Sequence, residues 1–414
     1  MEEELIDESF FIENSLDVNE ASVIKTGFEN SFNDRQVGSI AVAVEPVSIN
    51  VSLDSVIELF HSQPNLEAIP IEEDDLVVGI IERISVLDDS DNAIKKRFVS
   101  KSINEYVKKC PFSLNTNDYL EKISGKVNEI AINVEVKHLV VLLNNRSFYG
   151  LVSVAEINQK IEKLRAHDLE KAEVIQQNIL QINSAVSDFP FDVNIFNKMA
   201  NPVGGDFYLA QDLSDEKYVI ASFDVSGKNV SAALLTVTIA SFFTLMKFIN
   251  KNNFTAQKLI LMLDKYLKEI IPLGNFITGC ICFVDRAANT VQIYNCGHTD
   301  TVMVINTSFG KKVASLAPTL PPFGMGSISD ELKNKSNISY KLKIMYGLQI
   351  NLFSDGLSDM QNDEGERFGD TRVLEFCKNL YDSEKPVDYT KSVCSEWTRE
   401  CLLPDDISVI NIRF

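Results

Sequence analysis

Basic residues are in short supply: 39 Lys and Arg stand against 59 Asp and Glu over 414 residues, a formal charge of -20. Such a chain repels a polyphosphate backbone and has no basic stripe to track one, which excludes nucleic acid as a partner. Long hydrophobic runs are lacking as well. No stretch approaches the ~18 to 20 apolar residues of a membrane span, and the opening Met-Glu-Glu-Glu-Leu has neither the positive region nor the apolar core of an export signal. A cytoplasmic protein with no membrane partner is expected. Cysteine pairing is missing too: the seven cysteines are odd in number and scattered, with no Cys-x-x-Cys spacing. Cys280 and Cys282 alternate along an apparent strand and so share one face, which suits two small buried hydrophobes better than a zinc site.

The length exceeds one ordinary domain and allows two or three. Residues 1–38 are acidic and rich in Asn and Ser without a sustained apolar period, and read as a flexible arm. Residues 39–156 repeat one pattern twice. The first copy runs from a helix at Leu53 to Ser62 through a strand at Ala68 to Ile71 and a turn at Glu72 to Asp75 to a strand at Val77 to Ile81. The second places a helix at Leu114 to Lys126 and strands at Glu129 to Val134, Leu139 to Leu143 and Tyr149 to Ser153, with a turn at Asn144 to Arg146. Residues 157–187 follow as a linker helix. Ile157, Ile161 and Leu164 form one apolar seam, and Ala172, Ile175, Ile179, Ile182 and Val186 form another, with a four-residue stutter at Asp168. The seam is narrow and flanked by charge, which predicts a two-chain coiled coil and hence a homodimer.

From residue 188 to 414 the pattern changes to strand pairs and long apolar helices. Hairpins are expected at Asp206 to Leu213 with Lys217 to Asp224, at Phe276 to Val284 with Val291 to Asn295, and at Ser339 to Met345 with Leu348 to Phe353 across Tyr346-Gly347. Helices are expected at Asn229 to Lys251, at Ala256 to Ile271 and, as a pair, within Thr371 to Glu400, before a closing strand at Ile407 to Phe414. Antiparallel strands with helices in adjacent pairs argue for a layered α+β sandwich.

Four aspartates end or begin these strands: Asp206 in Val-Gly-Gly-Asp-Phe, Asp224 in Phe-Asp-Val-Ser-Gly, Asp355 in Leu-Phe-Ser-Asp-Gly and Asp405 in Pro-Asp-Asp-Ile-Ser. Two carboxylates ~5 Å apart repel by roughly 3 kcal/mol at an effective dielectric near 20, so a cleft holding four needs divalent cations or raised pKa values. All-oxygen donors select hard cations, Mg²⁺ or Mn²⁺, and a pair of such ions suits phosphate-ester hydrolysis.

The blocks Val203-Gly204-Gly205-Asp206-Phe207, Phe223-Asp224-Val225-Ser226-Gly227-Lys228, Phe276-Ile277-Thr278, Asn295-Cys296-Gly297-His298, Leu352 to Leu357 and Asp405-Asp406-Ile407-Ser408 occur in that order. So arranged, residues 194–414 resemble the SpoIIE/RsbU branch of the PPM metal-dependent serine/threonine protein phosphatases. The resemblance implies an α-β-β-α sandwich, two Mn²⁺ or Mg²⁺ ions and a phosphoprotein substrate. It implies that Asp224 bridges the ions, that the Val225 carbonyl ligates one, that Asp355 and Asp405 hold the second, and that Asp206 contacts it directly or through water. It implies no side-chain nucleophile. Gly205, Gly227 and Gly356 are supporting residues beside the ligands, and Asp406 ranks below Asp405 because only one of a strand-initiating pair points inward. His298, the sole histidine beyond residue 167, is expected to serve structural hydrogen bonding rather than catalysis.

The two amino-terminal units in turn resemble a pair of CBS motifs, on the strand ends Gly79-Ile80-Ile81 and Gly150-Leu151-Val152. That resemblance implies face-to-face association and a candidate adenine-nucleotide site. Members that bind nucleotide follow the strand with Ser or Thr and, three residues on, Asp; Ser153 and Glu156 approximate this, whereas Glu82 and Ser85 in the first copy do not. A docking module without ligand is the other reading of the pair. A non-catalytic, phosphoprotein-binding regulator and an adenine-nucleotide sensor with the phosphatase as its output are the other readings of the whole chain.

Overall fold

A computed structural model describes residues 32–90, 102–133, 136–183, 189–214, 216–227, 230–248, 255–272, 274–334 and 337–414. Most of the expected flexible arm, Val186 of the second seam and Lys228 lie outside the described residues. The chain divides into two compact units, residues 1–166 and 167–414, with the boundary inside a helix.

In the amino-terminal unit β1 (Val47–Ser48), α1 (Leu53–Ser62), β2 (Ala68–Glu73), β3 (Leu76–Glu82) and α2 (Arg83–Ser90) form the first copy. The second consists of β4 (Leu114–Asn115), α3 (Leu120–Asn133), β5 (His138–Leu142), β6 (Phe148–Ser153) and the start of α4 (Val154–Asn183). Each sheet joins a parallel pair to an antiparallel hairpin, β1-β2-β3 and β4-β5-β6. Each hairpin carries a register shift at the same place, Ile71/Glu72 and Val141/Leu142, so the repeat extends to the irregularity of the ladder. Two expectations for the second copy are corrected. Leu114 belongs to a strand, paired with Val141, and Glu129 to Asn133 continue the helix, because Leu120, Ile123 and Val127 keep a three-and-four spacing into one buried cluster.

The carboxy-terminal unit is a sandwich of two five-stranded antiparallel sheets with helices outside each. Its first sheet contains β8 (Asp206–Ser214), β9 (Lys217–Val225), β10 (Ile277–Asp285), β11 (Thr290–Cys296) and β14 (Tyr340–Lys343), ordered β14-β11-β10-β9-β8. Its second contains β7 (Asp192–Lys198), β12 (Thr301–Thr307), β13 (Gly310–Leu316), β15 (Leu348–Phe353) and β16 (Ile407–Arg413), ordered β13-β12-β15-β16-β7. Period-two alternation sorts the side chains. On β9, Val219, Ala221, Phe223 and Val225 pack under α5 (Val230–Phe248) and α6 (Ala256–Ile270), while Ile220 meets Ile350, Leu352, Ile410 and Ile412 of the facing sheet. On β16, Ile407 and Val409 pack beneath α9 (Gly369–Leu380) and α10 (Pro386–Thr398). Cys280 and Cys282 are buried between the sheets, as expected.

The expected hairpin across Tyr346-Gly347 does not form. β14 pairs with β11 in the first sheet and β15 with β12 and β16 in the second. Tyr346 is fully exposed and Gly347 takes φ +79°, so this turn carries the chain from one layer to the other. The strand patterns agree: β15 is buried along its whole length, whereas β14 alternates as an edge strand does.

The linker helix exists as α4, but its first seam is not free for a second chain. Ile157, Ile161 and Leu164 lie in the buried core of the amino-terminal unit. The second seam is mixed: Ile175 and Ile182 are exposed, while Ile179 packs partly buried against the first sheet's helical layer, where Leu180, outside the seam, is buried.

Candidate active site

The same alternation that builds the sandwich delivers the acidic residues to one end of it. Asp206 opens β8 and sits directly across the ladder from Asp224 near the end of β9. Each shares the parity of the residues that face the opposite sheet, Ala210 on β8 and Ile220 on β9, so both carboxylates belong to the space between the layers. In the second sheet β15 ends at Phe353, and Ser354 and Asp355 lead into the short helix α8 (Gly356–Asp359). Beside it β16 begins, preceded by Asp405 and Asp406.

Hydrogen bonds tie these ends together. Ser354 N donates to Ser408 O at 3.0 Å, and Ser408 N donates to Ser354 Oγ at 2.9 Å. Ser354 Oγ donates to Asp406 O at 3.1 Å. The Asp406 carboxylate joins the sheets: Oδ1 accepts from Ala200 N and Oδ2 from Gly205 N, both at 2.8 Å. Two glycines are required by this closeness. A Cβ on Gly204 would stand 2.1 Å from Asp406 Oδ2, and one on Gly356 would stand 2.0 Å from Asp406 O. Gly205 faces the Val225 carbonyl, 3.0 Å from where its Cβ would be. Gly227 has φ +102°, a conformation that side chains disfavour, as the chain leaves β9.

Asp406, not Asp405, takes the inward position. Asp406 shares the parity of Ser408, Ile410 and Ile412 and is buried; Asp405 is half-buried and its Oδ1 accepts from Asp406 N at 2.9 Å. The ranking drawn from the sequence missed this because it did not follow the apolar alternation back through the pair.

Asp206 is 2 % exposed, and its Oδ2 is buried without a hydrogen-bond partner. Burial pushes its carboxyl well above the usual range; Asp224 and Asp406 push the same way, while the hydroxyls of Ser354 and Ser408 oppose them. Asp355 is exposed at the start of α8 and Asp224 is half-buried. Among the described residues, no three His, Cys, Asp or Glu side chains stand together closely enough to hold a metal ion. The backbone segments bearing Asp206, Asp224, Val225, Asp405 and Asp406 converge, then, while the carboxylates differ in burial, from Asp206 and Asp406 buried to Asp355 exposed. An orphaned, buried carboxylate oxygen among all-oxygen neighbours is the donor chemistry of a hard cation.

His298 is buried in hydrogen bonds to Thr278 and Ser222, and burial lowers it to about 4, so it is a neutral imidazole at pH 7. Sequence reading missed the part of Gln176 on α4, whose amide clasps Gly204: Nε2 donates to Gly204 O at 2.8 Å, and Oε1 accepts from Gly204 N at 3.1 Å. A glutamine inside an apolar seam was the available signal. Ser153 and Glu156 close a capping box at the start of α4, with Ser153 Oγ and Glu156 Oε2 2.8 Å apart and Glu156 N donating to Ser153 Oγ at 3.0 Å. Both also line a cavity of about 560 Å³ in the amino-terminal unit, together with Val44, Leu66, Lys137 and His138.

Residues 214–414 match the family model described as Stage II sporulation protein E (SpoIIE). Protein IcfG of Synechocystis sp. is 26% identical over 245 residues, which are 53% of this chain and 36% of that protein. The chain thus spans little more than a third of that relative's length. The SiaA-PP2C domain of Pseudomonas aeruginosa superimposes with a TM-score of 0.52 at 18% identity, covering 61% of this chain and 98% of the other. The structural likeness shows a shared fold, and the match of residues 214–414 to the SpoIIE model supports a protein phosphatase in the carboxy-terminal unit.

Proposed function

We propose that this SpoIIE-type domain is a metal-dependent hydrolase of phosphoserine or phosphothreonine on a partner protein. The observation that carries the reading is the buried, unpartnered Oδ2 of Asp206, a residue that stands directly across the ladder from Asp224. Asp206, Asp224, the Val225 carbonyl, Asp355 and Asp405 would hold two Mn²⁺ or Mg²⁺ ions, which when bound supply Lewis acidity toward water and the phosphoryl oxygens. The chain's own residues set the geometry. Asp406 fixes the Gly204-Gly205 segment through its bonds to Ala200 N and Gly205 N, and that segment aims Asp206. Ser354 and Ser408 hold the facing strand ends in register. His298, enclosed in the core, is not available as a nucleophile, in keeping with the resemblance, which implies no side-chain nucleophile.

The substrate is a phosphorylated signalling protein, of anti-anti-sigma type by analogy with the branch that the sequence resembles. An acidic chain meets such a target through docking rather than through attraction to the phosphate. The amino-terminal unit, a CBS-like pair, regulates the activity. Its cavity of about 560 Å³ supports an adenine nucleotide or similar ligand, although Ser153 and Glu156 already spend hydrogen bonds on capping α4. The second seam of α4, with Ile175 and Ile182 exposed, supports a homodimer. One observation favours a non-catalytic, phosphoprotein-binding regulator instead: Asp355 is exposed and Asp405 only half-buried.

Phosphate release from a phosphoserine peptide in the presence of Mn²⁺ tests the enzyme reading. The wild type is expected to release phosphate only with the ion, and Asp224→Ala to lose at least about a hundredfold in rate. Equal rates in the two proteins would reject the metal assignment.

A further inference from the structure

We propose that His298, with Thr278, is a positioning residue for Asp224, acting through a directed line of hydrogen bonds between β9 and β10; this rests on the metal-dependent reading above. The imidazole joins the two strands that flank it. Nε2 lies 3.2 Å from Ser222 Oγ on β9, and Nδ1 lies 3.0 Å from Thr278 Oγ1 on β10. Ser222 is two residues before Asp224 on the same face of β9, and Thr278 is the ladder partner of Asp224 itself. Thr278 Oγ1 donates onward to the Asp224 carbonyl at 3.4 Å.

That last bond fixes every proton in the line. A hydroxyl has one hydrogen, so Thr278, having donated to Asp224, accepts from His298 at Nδ1. Nδ1 therefore carries the proton, and Nε2 accepts from Ser222. One neutral tautomer satisfies all three groups, and an imidazolium, with two donors, would require Ser222 to turn its hydrogen away. The ring is itself located from behind: His298 N donates to Asn295 Oδ1 at 2.9 Å, and Asn295 Nδ2 donates to Thr299 O at 2.7 Å.

What this line controls is the orientation of one peptide. Holding the Asp224 carbonyl toward β10 sets the plane of the Asp224–Val225 peptide, which lies between the Cα that bears the Asp224 carboxylate and the Cα that leads into the Val225 carbonyl. Partners placed one step behind a ligand in this way tune metal affinity by about 10 to 100-fold.

Mn²⁺ titration calorimetry on the full chain tests the assignment, with thermal melting of the metal-free protein alongside. Thr278→Val keeps the shape and removes the hydroxyl; it is expected to weaken Mn²⁺ binding about tenfold with little change in metal-free melting. His298→Leu should weaken binding at least as much, and His298→Asn, whose amide N–H can stand where Nδ1–H does, should recover most of it. Should Thr278→Val and His298→Asn, along with whatever His298→Leu folds, bind Mn²⁺ as the wild type does, the positioning role is overturned and His298 serves only the core. Should the wild type itself bind no Mn²⁺, while remaining folded, the metal-dependent reading falls and this inference falls with it.

Discussion

His298 carries a pH signature that can be separated from any metal. Its folded value of about 4 lies below the ordinary 6.5 because burial disfavours the charged ring. The unfolded chain therefore takes up a proton below pH 6.5 that the folded chain refuses until about pH 4. Stability from this group is complete above 6.5 and falls as pH drops toward 4, by on the order of 3 kcal/mol. Denaturant titrations at pH 7 and pH 4.5 are expected to show a smaller loss for His298→Asn than for the wild type. Asp406 gives a second residue-scale prediction. Asp406→Asn must turn an amide N–H toward Ala200 N or Gly205 N, so folding stability should drop by about 1 to 3 kcal/mol, with urea unfolding as the measure. The four aspartates and the glycines beside them were legible in sequence because turns and strand ends announce themselves locally. Which of Asp405 and Asp406 faces inward was also there to be read, two residues at a time, from Ser408, Ile410 and Ile412. The Asp406 contacts to Ala200 and Gly205 were not, because they join residues about 200 positions apart in different layers.

Among the elements, α4 shows how one periodic pattern can serve several surfaces. Its first seam was expected to meet a second chain and instead closes the core of its own unit. Spacing alone says that a face is apolar, without saying which neighbour covers it. In the second seam, Ile179 packs partly buried against the core of the carboxy-terminal unit while Ile182, on the same stripe, is 67% exposed; Leu180, off that stripe, is 3% exposed. Leu180→Ala should accordingly cost about 2 to 5 kcal/mol and Ile182→Ala less than about 0.5 kcal/mol in the isolated chain, as read by thermal or urea unfolding. Ile175→Asp combined with Ile182→Asp keeps Leu180 and Ile179 in place. If α4 pairs with a second copy, this double variant should sediment as a monomer under conditions where the wild type is a dimer. The misplaced hairpin at Tyr346-Gly347 has the same origin: two strand-like runs across a glycine turn fit a hairpin as well as a passage between sheets. Only the burial of both faces of β15 distinguishes them.

At the scale of the whole molecule, two units with separate cores are expected to answer separate ligands. Mn²⁺ at about 100 times its dissociation constant should stabilise the carboxy-terminal unit by about 2.7 kcal/mol, and a chelator should reverse the shift. In calorimetric scans the transition of the amino-terminal unit should stay where it was. A nucleotide that fills the cavity near Ser153 and Glu156 should move that other transition instead.

By itself the sequence determined the alternation of strands and helices, the internal repeat and the order of the acidic blocks, since these follow from hydrophobic period and turn chemistry within a few residues of each site. The tertiary structure decided which sheet each strand joins, which side of α4 is covered, and that Asp406 rather than its neighbour clamps the layers. Those outcomes depend on contacts across the sandwich, where burial and hydrogen-bond satisfaction compare residues that the chain order keeps far apart.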